Sequence, residues 1–160
     1  MVNLQEKTAA YYRLGLQLGT HTVDDVISWV DRQIELLDSP SSDLIDLSLM
    51  SKSHPLDVLG MLDRLDGDVA QLDVLSAVLA DAHTLLREEG DFGPTLARGL
   101  RNLYVECGYD VPELFRPICW FDEYYALAQL GLLGTEEEIY QELLAFTASF
   151  RELDTTELNT

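Results

Sequence analysis

This chain is short of basic residues relative to acids. Ten lysines and arginines stand against 29 acids in 160 residues, for a net charge of −19, and the acids run through the whole chain rather than gathering in a tail. Nucleic acid and anionic membrane surfaces both require a basic face, so no nucleic acid and no membrane is expected as a partner. Histidine is scarcer still, at three residues. His21, His54 and His83 are too few and too scattered for a metal site read from spacing, and no metal or cofactor is expected. The two cysteines, Cys107 and Cys119, sit among apolar and aromatic neighbours and read as reduced core thiols rather than a bridge. No apolar run approaches the ~20 residues a bilayer crossing needs. The start, MVNLQEKTAAYY, lacks the basic opening and apolar stretch of a secretory signal, so the expected location is cytoplasmic.

Motifs for chemistry are missing too. There is no phosphate loop, HExxH, GxSxG, CxxC or dinucleotide fingerprint, and neither cysteine has a histidine beside it in sequence. The run from Asp63 to Asp68 invites a calcium reading. It lacks the alternating oxygen ligands and the closing glutamate, and Leu65 falls where a ligand should be. A turn between two helices, with Asp68 as the cap of the second, accounts for it. No enzyme is expected.

What is abundant is leucine, 30 residues against 15 isoleucines and valines together. Leucine favours helices and β-branched residues favour strands, so the fold class expected is all-α, with about seven to eight helices. The organising stretch is Asp68–Glu89. Leu72, Leu75, Leu79, Ala82 and Leu86 recur at intervals of three and four, widened by Val74, Val78 and Leu85. Only Asp73, Ser76, Thr84 and Arg87 form a wet strip, the pattern of a buried central helix. A single compact domain over residues 1–152, packed around that helix, with a polar tail over 153–160, is the expected organisation.

Other helices announce themselves at their ends. Residues 4–18 carry Tyr11, Leu14 and Leu18 on one face and stop at Gly19, although Gly15 weakens the middle. Thr22 caps a second helix with Asp24 and Asp25 in its first turn; its stripe runs from Val23 to Leu37, with Trp29 at the border. Ser42 is a candidate cap for a short helix, and Pro55 opens another that ends at Asp66-Gly67. Leu96, Leu100, Leu103 and Cys107 mark a later stripe that Gly108 stops. Pro112 and Pro117 interrupt the stretch after it. Thr135 and Glu138 have the spacing of a capping box, before a last stripe through Ile139, Leu143, Phe146 and Phe150. An echo at an offset of 113 residues pairs Tyr11-Tyr12-x-Leu14 with Tyr124-Tyr125-x-Leu127 and Thr22 with Thr135. It reads either as a duplication or as the shared grammar of any helix–turn–helix.

One constellation remains, Trp120-Phe-Asp-Glu-Tyr-Tyr125. Phe121 and Tyr125 belong to the inward row and Trp120 and Tyr124 to its flank. Trp120, Asp122, Glu123 and Tyr124 are the candidate partner-binding residues: aromatic anchors beside carboxylates suit a basic protein surface. The function expected is therefore a non-enzymatic, acidic protein-binding protein, of inhibitor or immunity type, that occludes a basic partner. The alternative is a helical scaffold or regulatory module that binds a peptide, or a second copy of itself, through an apolar groove.

Overall fold

The computed structural model describes residues 3–150; the expected tail over 153–160 lies outside them. Among the described residues there are eight α-helices, one 3-10 segment and no strand, so the fold is all-α. The helices are α1 Leu4–Leu18, α2 Val23–Leu36, α3 Ser42–Ser48, α4 Pro55–Leu65, α5 Gln71–Glu88, α6 Phe92–Glu106, α7 Phe121–Gln129 and α8 Glu136–Ala148, with the 3-10 segment Glu113–Cys119 before α7. No helix among these residues is long and apolar enough to cross a membrane. The chain groups into two compact units, one running to Leu75 and one beginning at Ser76, so the boundary falls inside α5.

The first unit is built on caps and aliphatic packing. Asn3 and Thr22 each form a full capping box, with Glu6 and Asp25 as the reciprocal partners, which fixes where α1 and α2 begin. Ser41, one residue earlier than expected, caps α3 by accepting from the Leu44 amide at 3.3 Å. His54 caps α4, its Nδ1 accepting from the Leu56 amide at 3.2 Å, and Pro55 occupies the first helical position. α1 packs chiefly on α4 and α2 on α3. Ala9, Val26, Trp29, Val30, Leu44, Leu47, Val58 and Leu62 form the core between them.

Two expectations about α2 change. Trp29 is buried, at 4% exposure, because Tyr12 stacks on it with ring centroids 5.2 Å apart. Leu37 is exposed, because α2 ends at Leu36 and the chain turns extended there. Gly15 is a seat rather than a weakness: a side chain there would collide with the His21 ring, which lies against it and against Tyr11 and Tyr12.

α5 is nearly buried around its circumference, as its pattern required. Along Gln71–Glu88 only Asp73, Thr84, Arg87 and Glu88 are exposed. Its start differs from the expected one. Asp68 adopts the left-handed φ of 71° and the helix begins at Gln71, so Asp68 is not its cap. Asp66 takes over the turn instead, its carboxylate accepting from the Asp68 amide at 3.3 Å.

The second unit has an aromatic core. Phe115 stacks on Phe150 at 5.6 Å, and Phe146 packs against both Phe150 and Phe121. Buried His83 approaches Leu144 O at 3.1 Å and Thr147 Oγ1 at 3.0 Å through Nδ1. A carbonyl only accepts, so Nδ1 carries the proton. The Tyr140 hydroxyl donates to Leu86 O at 2.6 Å. At Thr135 the structure forms one arm of the expected box, Oγ1 accepting from the Glu138 amide at 3.2 Å. The Thr22 and Thr135 segments share local grammar and differ in packing, since α7 packs on α6 and α8.

Candidate partner-binding face

The site is built where α6 ends and α7 begins, within the second unit. After α6, Gly108 and Tyr109 both adopt left-handed backbone, with φ of 70° and 64°. The Tyr109 amide returns to Tyr104 O at 3.0 Å and closes the helix end. Left-handed backbone is unfavourable for a tyrosine, and strain of this kind is commonest where a side chain must be aimed. Here it sets the Tyr109 ring edge-on to Tyr104, centroids 5.6 Å apart, while leaving Tyr109 65% exposed.

Pro112 then leads into the 3-10 segment, which contains Pro117. A proline cannot donate to an α-helical ladder, so α7 makes a fresh start, and Trp120 stands at the junction with its carbonyl accepting from the Tyr124 amide at 3.0 Å. Trp120 is 41% exposed. Together with Tyr104, Tyr109, Asp110, Val111, Arg116 and Cys119 it lines an open cleft of about 230 Å³. Arg116 is paired with Glu113 at 3.3 Å, both well exposed.

The four sequence candidates do not share one environment. Trp120 lines the cleft. Glu123 is exposed, and Asp122 and Tyr124 are half-buried in the first turn of α7. Phe121 and Tyr125 are buried at 4% each, so the inward and flanking rows fall where the spacing put them. Tyr104, Tyr109, Asp110 and Arg116 join Trp120 at the cleft without having been singled out in sequence. The only local hint was the Gly108-Tyr109-Asp110 turn, whose left-handed tyrosine no periodicity reveals.

Electrostatically this part of the chain is one-sided. From Cys107 to Phe150 there are eight acids and one base, Arg116. The two thiols are free and half-buried rather than core. Burial, and then the Glu106 carboxylate, push the Cys107 thiol above its ordinary range. Among the described residues no group of three or more histidine, cysteine, aspartate or glutamate side chains is placed to hold a metal ion. In the Asp63–Asp68 turn, Asp63 and Asp66 both turn onto Arg13, at 3.3 and 2.8 Å. Set against protein-family models, curated proteins and solved structures, the chain matches none.

Proposed function

We propose that this protein is a non-enzymatic binding protein that occludes a basic protein partner, in the manner of an inhibitor or immunity protein, through the face that carries Trp120. The observation that supports this most is the exposure of Trp120 beside an open cleft, in a stretch whose only base is already paired with Glu113. A half-exposed tryptophan offers a large rigid surface whose burial is favourable, and tryptophan and tyrosine are the residues most often found as interface anchors. The surrounding carboxylates would steer a basic protein and pair with it once docked. Screening by salt should weaken such a complex.

The test uses the wild-type protein and its Trp120→Ala variant as parallel baits in lysate of the source cell, eluted in salt steps. A basic protein held by the wild type, absent from the variant bait and released at moderate salt is the expected result. Retention by both baits would remove Trp120 from the interface, and an acidic or salt-resistant partner would overturn the reading. The scaffold alternative has one observation in its favour: Leu130, Leu132 and Leu133 are 71%, 72% and 45% exposed. A partner, or a second copy, that survives high salt and is lost on Leu132→Ser would select it.

A further inference from the structure

The outward side of α7 has a pattern of its own. Trp120, Glu123, Leu127 and Leu130 are spaced by three, four and three residues, which is one row of a helix. Both ends belong to the helical register: the Trp120 carbonyl accepts from the Tyr124 amide, and the Leu130 amide donates to Ala126 O at 3.2 Å. Trp120 is 41% and Leu130 71% exposed; Glu123 is exposed and Leu127 half-buried. Ten residues of helix place the two apolar ends about 15 Å apart, with a carboxylate between them.

The far end is held rather than loose. Gly131 takes a φ of 72° and the Leu132 amide returns to Leu127 O at 2.9 Å. In such a helix end the residue after the glycine commonly packs back on the last turn, yet Leu132 remains 72% exposed. Gln129 Nε2 donates to Glu136 Oε1 at 3.0 Å and ties the end of α7 to the start of α8. Leu130, Leu132 and Leu133 thus stand exposed in this turn, shortly before the exposed Glu136 and Glu137 that open α8.

We propose that this stripe receives one amphipathic basic helix of the partner, its apolar residues on Trp120 and the leucine turn and its cations on Glu123, Glu136 and Glu137. The inference rests on the binding reading above and adds the form of the ligand. A three- and four-residue rhythm over about three turns is what a helix lying alongside would match, whereas a strand repeats every second residue. A second copy of this chain would bring the same negative charge against the same acids, so charge complementarity selects a basic occupant.

The probes are two fluorescently labelled peptides, added to the full chain: a lysine–leucine helix with leucines at i, i+3, i+4 and i+7, and a scramble of the same composition with no apolar face. Binding is read by anisotropy against the wild type, Trp120→Ala, Leu130→Ser and the remote control Leu56→Ser, with folding checked by circular dichroism. Leu56 is 69% exposed in the first unit, and none of these substitutions changes charge. The helical peptide should bind about tenfold or more tightly than the scramble, and Trp120→Ala and Leu130→Ser should each lose about that factor while Leu56→Ser does not. Equal binding of both peptides, still lost on Trp120→Ala, would overturn the helical form and leave the basic-partner reading standing. Binding of neither peptide, or binding that none of the variants weakens, would overturn both.

Discussion

In the first unit the fully buried polar side chain, Asp66, is held by an ion pair with half-buried Arg13, the two being 4% and 18% exposed. In the second the buried polar contacts involve no carboxylate: His83 meets Thr147 and the Leu144 carbonyl, and Tyr140 the Leu86 carbonyl. The two solutions answer to different physics. A buried pair of opposite charges barely repays its desolvation, so it adds little while intact and costs much when one partner is lost. A neutral hydrogen bond is worth about 1 kcal/mol net, and its loss is correspondingly milder. The first unit should therefore be the more sensitive to single charge deletions and to pH between acid and neutrality.

Arg13→Met should give the largest effect. Arg13 Nε lies 2.8 Å from Asp66 Oδ2, in ion-pair contact but outside hydrogen-bond alignment, and a second nitrogen reaches Asp63 at 3.3 Å. Removing the guanidinium leaves a buried carboxylate without its cation, a loss of about 3 kcal/mol at neutral pH. The pH dependence carries the diagnosis. Burial raises the Asp66 pKa above 3.8, and Arg13 opposes that rise. A raised folded-state pKa means that stability is fully present below 3.8 and is lost as pH rises through the folded value. Arg13→Met moves that value further up, so wild type and variant should be close in acid and diverge as the pH rises to neutrality. Urea unfolding at both ends of that range reads the gap, and a constant gap would show that the ion pair is not its cause.

The second prediction contrasts two glycines of the first unit. Gly15→Ala should lower stability by about 1–2 kcal/mol, because the added carbon meets the His21 ring and overpacking outweighs the gain in helix propensity. Gly60→Ala, in exposed helix with nothing within 4 Å, should raise it by about 0.5–1 kcal/mol. Equal gains in urea unfolding at both positions would mean that His21 yields freely and that its seat on Gly15 is incidental.

That contrast also shows how far the sequence could be read. Gly15 and Gly60 look alike in a helical wheel, and only the return of His21 onto α1 separates them. Features set within one turn of chain were legible: the cap at Thr22, Pro55 at a helix start, and the stripe of α5. Features decided by distant partners were not. Trp29 is buried by Tyr12, and Asp66 rather than Asp68 organises its turn because Arg13 reaches it from α1. Around the candidate face the inward row of α7 and its flank at Trp120 followed from spacing. The cleft did not, since it depends on a left-handed tyrosine at 109, set edge-on to Tyr104, that lines it together with Trp120. The whole surface could still be judged acidic, because charge counts need no geometry.

The smallest effect sharpens the neutral side of the comparison. The Tyr125 hydroxyl is buried without a hydrogen-bond partner, wedged against Gly93. Burial, and then the nearby Glu136, Tyr140 and Glu137, push its pKa up to about 12. Tyr125→Phe removes a desolvated polar atom while keeping the ring in the core, so it should raise stability at neutral pH by up to about 1 kcal/mol. A folded pKa above the ordinary 10 leaves the phenol's contribution intact below pH 10 and loses it as pH rises through 12. The variant's advantage should therefore be flat from neutrality to pH 10 and widen above it, in denaturant melts taken across that range. A loss of stability at neutral pH would mean that the hydroxyl is bonded in solution, and the second unit would then hold its buried polar groups as tightly as the first holds its ions.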